Sequence, residues 1–208
     1  CYAVVAYQTA WLKYYYPVEF MAALMTSVID NPPKVAEYIL NCRQMGIRLL
    51  PPDINKGESA FSVEENKNYK EDNAGEPGTK YKKNIRYGLS AIKSIGKPVI
   101  DAIVKERNVR GEYKSFRDFV ERLSGKELNK RTIESFIKAG ALDGLCDNRK
   151  QLMMVYVQIL DSVNQEKKYA MTGQMSLFDF VPEEEKKEFE IRMPDVEEYD
   201  KEQLLAFE

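Results

Sequence analysis

The chain has 208 residues, 44% hydrophobic and 31% charged, which is enough for one or two domains with a sizeable core. With no histidine and three cysteines (Cys1, Cys42, Cys146), none in a CxxC pair, His-based acid–base chemistry, the usual zinc sets and a disulfide framework are excluded. No apolar run reaches the roughly 18 residues that span a bilayer and no basic-then-apolar leader opens the sequence, so the free thiols fit a soluble protein of a reducing cytoplasm.

The opening CYAVVAYQTAWLK reads as the middle of a helix and the closing EQLLAFE as the start of another, so the sequence is expected to be a fragment of a longer chain. Residues 2–16 are predicted helical up to Pro17, because the residue before a proline avoids the helical region. Phe20, Met21, Leu24, Met25 and Val28 mark an apolar stripe at helical spacing. Asn31-Pro32-Pro33 predicts a helix start, a capping residue followed by prolines in the first turn. Val35, Tyr38, Ile39 and Cys42 continue it, and Gly46 is predicted to cap its end. Cys42 falls on the core face, as a small buried hydrophobe. LLPPDIN (49–55) reads as a non-helical connection. Alternation in SAFSV (59–63) and NIRYGL (84–89) predicts two strands, with a polar, Gly/Pro-punctuated and mobile excursion between them at 66–83.

From Leu89 the pattern is helical in short pieces. The stripes are Ile100/Ile103/Val104, then Phe116/Phe119/Val120/Leu123 with Ser115 and Asp118 placed to cap, then Ile133/Phe136/Ile137 behind a cap at Asn129. A longer helix carries Leu152, Tyr156, Ile159, Leu160 and Val163. Residues 164–208 are polar and acidic, apart from an apolar island at Met175–Phe180. The charge follows this layout. Residues 1–79 hold 7 basic and 10 acidic side chains, 80–150 hold 18 and 9, 151–180 hold 2 and 3, and 181–208 hold 4 and 11. A middle of net +9 beside a tail of net −7 points to a polyanion-binding segment with a solvated or partner-facing end.

Two segments share a plan. In AIKSIGKPVIDAIVKER (91–107) a short helix runs into Ser94-Ile95-Gly96-Lys97 and a second helix begins at Pro98. In FIKAGALDGLCDNRKQL (136–152) a helix, a Gly turn and a helix opening on Arg149 and Lys150 follow one another. This is the outline of a tandem helix–hairpin–helix, in which a tight turn exposes backbone N–H groups at a helix start to a phosphate oxygen. The candidate DNA-backbone contacts are Lys93, Ser94, Gly96 and Lys97 at the first hairpin, and Lys130, Arg131 and Arg149 at the second. Such contacts position a duplex and carry no sequence specificity. Polymerase or nuclease chemistry would need two or three carboxylates converging on Mg²⁺. Asp53, Asp101, Asp118, Asp143 and Asp147 are instead scattered among helix starts and turns, so no metal site is expected.

Gln174-Met175-Ser176-Leu177-Phe178 is an apolar island in a polar stretch with no helical or strand period, as in a linear peptide that docks in a partner's pocket. Its pattern Gln-x-Ser-Leu-Phe resembles the pentapeptide by which bacterial replication proteins bind the sliding clamp. The other reading is a loop anchor folded onto its own domain.

Taken in order, YAVVAYQTAWLKYYYPVEFMAALMTSVIDN, CRQMGIRLLPPDIN, IRYGLSAIKSIGKPVIDAIVKER, KELNKRTIESFIKAGALDGL and GQMSLF resemble the bacterial replicative DNA polymerase III alpha subunits over most of residues 1–180. The resemblance implies a mainly α fold with a small β-hairpin. Distal fingers helices would span 1–57 and the β-hairpin with its excursion 58–88. The tandem helix–hairpin–helix would span 89–165, and the clamp-binding peptide with a largely extended acidic C-terminal tail 166–208. It also implies a catalytic palm upstream of Cys1, hence no catalytic residue and no cofactor in this fragment. Mg²⁺ and dNTPs would belong to the parent DNA-directed DNA polymerase. The implied partners are duplex primer-template DNA, the sliding clamp and other polymerase III holoenzyme subunits, with no membrane. Two further readings are a helix–hairpin–helix module of a repair enzyme such as a glycosylase, which would need a catalytic Asp or Lys beside a base-flipping pocket, and a purely structural helical module.

Overall fold

A computed structural model describes residues 2–67, 69, 80–123, 125, 128–172 and 193–207, with backbone alone at 170–172. The chain forms two compact units, 1–93 and 94–208. The expected first two segments lie in the first unit. The third begins just before the division, and α7 (below) runs through the boundary expected at 165/166. Most of the excursion expected at 66–83, and all of Gln174–Phe178, lie outside the described residues.

The first unit opens with α1 (Tyr2–Tyr15), α2 (Pro17–Ser27) and α3 (Pro32–Met45). As expected, Pro17 sets the α1–α2 boundary. Asn31 caps α3 by accepting the Lys34 N–H at 3.3 Å. Gly46 closes it at φ +80°, the left-handed region where a side chain would be strained. Strands β1 (Leu49–Leu50), β2 (Ser62–Glu65) and β3 (Lys83–Arg86) follow. The expected hairpin is present, with Val63 opposite Ile85 and Glu64 opposite Asn84 in antiparallel register. The sequence missed its third strand: β1 pairs parallel to β3, Leu49 with Ile85, giving the order β1-β3-β2. Two residues ending at prolines carry no period to read. The core of this unit gathers Val18, Met21, Met25, Val35, Cys42, Ile47, Phe61 and Ile85.

The second unit contains α4 (Lys97–Arg110), α5 (Phe116–Leu123), α6 (Lys130–Lys138), α7 (Arg149–Thr172) and α8 (Lys201–Phe207). The expected caps form here too: the Asp118 N–H donates to Ser115 Oγ at 3.1 Å and the Thr132 N–H to Asn129 Oδ1 at 2.9 Å. Phe119 is fully buried, edge-on to Tyr113 at 5.2 Å and to Phe136 at 6.2 Å. Helices α5 and α6 both pack on α7, whose Leu152, Val155, Ile159, Leu160 and Val163 are buried.

Candidate nucleic-acid interface

The first hairpin differs from its sequence outline. Its leading helix is a single 3-10 turn, Leu89–Ala91, too short for an α-helix. The left-handed residue of the turn is Ser94, at φ +66°, while Gly96 is extended at φ −74° and stands as the residue before α4. Pro98 occupies the first turn of α4, where its missing N–H costs nothing. Lys93, Ser94, Gly96 and Lys97 are all exposed, Lys93 at the end of the first unit and the others at the start of the second.

In the second hairpin α6 ends at Lys138 with Ala139 as its C-cap, Gly140 turns the chain at φ +73°, and a run of turns leads to α7. Lys130 and Arg131 are exposed on the first turn of α6. Lys130 Nζ pairs with Asp161 at 3.0 Å, and Arg131 donates to Ser94 Oγ at 3.4 Å, which ties the start of α6 to the first hairpin's turn. Arg149 is placed differently from the other candidates. Its guanidinium donates to both Asp143 oxygens, at 2.7 and 2.9 Å, and to the Lys138 carbonyl at 3.2 Å, and its side chain is 11% exposed. It braces the turn around Gly140, where any Cβ would collide with that guanidinium.

The electrostatics of the helix starts are unusual. Acidic side chains are favoured at a helix N-terminus, where the dipole is positive, and basic ones are disfavoured. Helices α4, α6 and α7 each begin with a basic residue and have no acidic residue in the first turn. At α6 the orphan amides are met by Asn129. At α7 Asn148 Oδ1 accepts the Gln151 N–H at 3.0 Å, and Glu198 arrives from the far end of the chain. No side chain caps α4. Backbone N–H groups at a helix start suit phosphate oxygens, and a basic side chain there adds positive charge.

Three of the scattered aspartates have local duties. Asp53 Oδ1 accepts the Asn55 N–H at 2.7 Å, Asp118 accepts the Lys114 N–H at 3.0 Å, and Asp143 holds Arg149. Among the described residues no cluster of three His, Cys, Asp or Glu could hold a metal ion. Nor is any described helix long and apolar enough to cross a membrane. Cys42 is a buried thiol pushed up to about 11 by loss of solvent, as an inert core residue.

Short helices joined by tight turns, with basic helix starts, are the architecture of a helix–hairpin–helix protein. The chain belongs to that family: a model described as "Helix-hairpin-helix motif" matches residues 46–152. The match begins well before the hairpins and takes in the three-stranded sheet. Along the whole chain the sequence is similar to DNA polymerase III subunit alpha. The Borreliella burgdorferi protein is 36% identical over 207 residues, covering 100% of this chain and 17% of the relative. The Escherichia coli protein is 39% identical over 183 residues, covering 88% and 14%. The Vibrio cholerae protein is 41% identical over 177 residues, covering 85% and 14%. The resemblance read from the residues therefore extends over the chain, which spans about a seventh to a sixth of the length of these curated relatives.

Proposed function

We propose that this chain is the non-catalytic, duplex-gripping part of a replicative DNA polymerase of the polymerase III alpha type. The observation that carries the reading is that α4, α6 and α7 each begin on a basic residue and have no acidic residue of their own in the first turn, in a helix–hairpin–helix protein whose relatives are named as subunits of such a polymerase. Exposed Lys97, Arg131 and Lys130, the amides around Gly96 and the neighbouring Lys93 and Ser94 would meet the primer-template backbone without reading its sequence. Arg149 would act through its backbone, since its guanidinium is committed to Asp143. The parent enzyme would bring the palm, Mg²⁺ and dNTPs, work in the cytoplasm with other holoenzyme subunits, and use Gln174, Met175, Ser176, Leu177 and Phe178 to dock on the sliding clamp. The fragment by itself would not extend a primer.

Duplex titration tests this. Wild-type binding should weaken as salt rises, with a slope of about −0.9 per phosphate neutralised. Lys97→Glu with Arg131→Glu should abolish it for all sequences alike. Binding unchanged by the double substitution would reject the reading, and no duplex binding by the wild type would favour a structural helical module. Excision of a damaged base would favour a repair enzyme.

A further inference from the structure

The start of α7 already holds an anion. The Glu198 carboxylate accepts the backbone N–H of Arg149 at 2.6 Å and of Lys150 at 3.1 Å, where two oxygens of a phosphate would sit. It also accepts its own neighbour's N–H, that of Tyr199, at 2.7 Å. The segment around it follows suit. Asn148 Nδ2 donates to the Val196 carbonyl at 2.7 Å. Lys150 Nζ lies 5.8 Å from the Tyr199 ring centroid and Lys138 Nζ 5.8 Å from that of Phe207. Within 193–207, Asp195, Glu197, Glu198, Asp200 and Glu202 face a single cation, Lys201.

No residue of 193–207 is buried. The segment is therefore held by hydrogen bonds, ring–cation contacts and charge, and a polyanion offers the same amides and lysines the hydrogen bonds and the charge. A strap with a buried apolar anchor would resist exchange; this one has none to lose.

We propose that the Glu198 segment is an intramolecular mimic of a nucleic-acid phosphate, which covers the second hairpin and is displaced when a duplex backbone takes its seat. This rests on the duplex-binding reading above. The first hairpin, whose α4 has no side-chain cap, makes the first contact. The second engages only after Glu198 leaves, which couples duplex binding to release of the chain that follows the clamp-like peptide.

The test uses the whole 208-residue chain and a plain DNA duplex. Glu198→Gln keeps the shape and removes the charge. It should raise duplex affinity at least threefold and steepen the salt slope by about 0.9, the value for one additional phosphate contact. The Arg149 and Lys150 amide resonances should shift on adding duplex. Glu202→Gln removes the same charge from an exposed position and should do neither. Equal affinity and slope in Glu198→Gln and wild type would overturn the proposal, as would an equal gain in Glu202→Gln or silent Arg149 and Lys150 amides. Loss of binding in Lys97→Glu with Arg131→Glu, alongside an unaltered Glu198→Gln, would sink the strap and leave the duplex reading standing. Absence of duplex binding by every variant would sink both. If Glu198→Gln melts too low to be read, Tyr199→Ala, which loosens the same strap, decides by the same affinity criterion.

Discussion

Tyr113 shows how one side chain joins burial, hydrogen bonding and charge. It is 2% exposed, donates its hydroxyl to the Ile103 carbonyl at 2.9 Å, and carries the Arg122 guanidinium 4.3 Å from its ring centroid. Burial pushes its pKa from 10.0 up to about 12, with Arg122 opposing. The folded state thus favours the protonated phenol. The stability this supplies is intact below pH 10 and is lost as pH rises from 10 to 12. Denaturation measured across that range should show a steeper alkaline loss in wild type than in Tyr113→Phe. At neutral pH the same substitution should cost about 1 kcal/mol, because the Ile103 carbonyl loses its donor. At the other end of the scale, Lys83 Nζ donates to Glu19 at 2.7 Å and holds that carboxyl below its usual value. The pair is well exposed, so its contribution is small and disappears as acid protonates Glu19.

Helix α6 illustrates what an element needs beyond its own sequence. At nine residues it is too short to stand alone in water. Its cap and its apolar face hold it: Asn129 takes the Thr132 N–H, and Ile133, Phe136 and Ile137 are buried. Asn129→Ala should lower stability by about 1 kcal/mol, visible as a fall in melting temperature. It should also weaken duplex binding if Lys130 and Arg131 depend on the same turn. Helix α1 is the opposite case. It is apolar nearly all round, yet none of its residues is buried. Trp11 lies against Tyr15 with ring centroids 4.8 Å apart in a tilted contact, and Tyr2, Tyr7, Tyr14 and Tyr15 remain exposed. A helix apolar on every side is ordinarily an interior one.

For the molecule as a whole, the clamp-like peptide makes a forecast that separates docking from packing. Leu177→Ala with Phe178→Ala should abolish binding to a bacterial sliding clamp and leave the melting temperature nearly unchanged. If the two residues were core anchors, about 2–5 kcal/mol of stability would go with each. An isolated pentapeptide should bind only near the micromolar range, roughly −8 kcal/mol. Tethering it to a protein that also grips DNA raises the effective affinity without new contacts.

The elements and their boundaries were largely legible in the residues, because their causes are local. Pro17 and Asn31 mark helix starts, Gly46 ends one, and the stripes through Phe119 and Phe136 face a core. The basic helix starts were legible for the same reason, since a Lys or Arg beside a Gly turn needs no partner to be recognised. Tertiary structure alone decided the rest. Leu49–Leu50 became a strand only because β3 offered an open edge. The turn of the first hairpin placed its strain on Ser94 instead of Gly96. Arg149, a phosphate ligand in the sequence reading, turned inward to brace Gly140. Glu198 reached α7 across 48 residues. No period or spacing encodes such contacts: they depend on which donor, edge or charge the folded chain brings within reach.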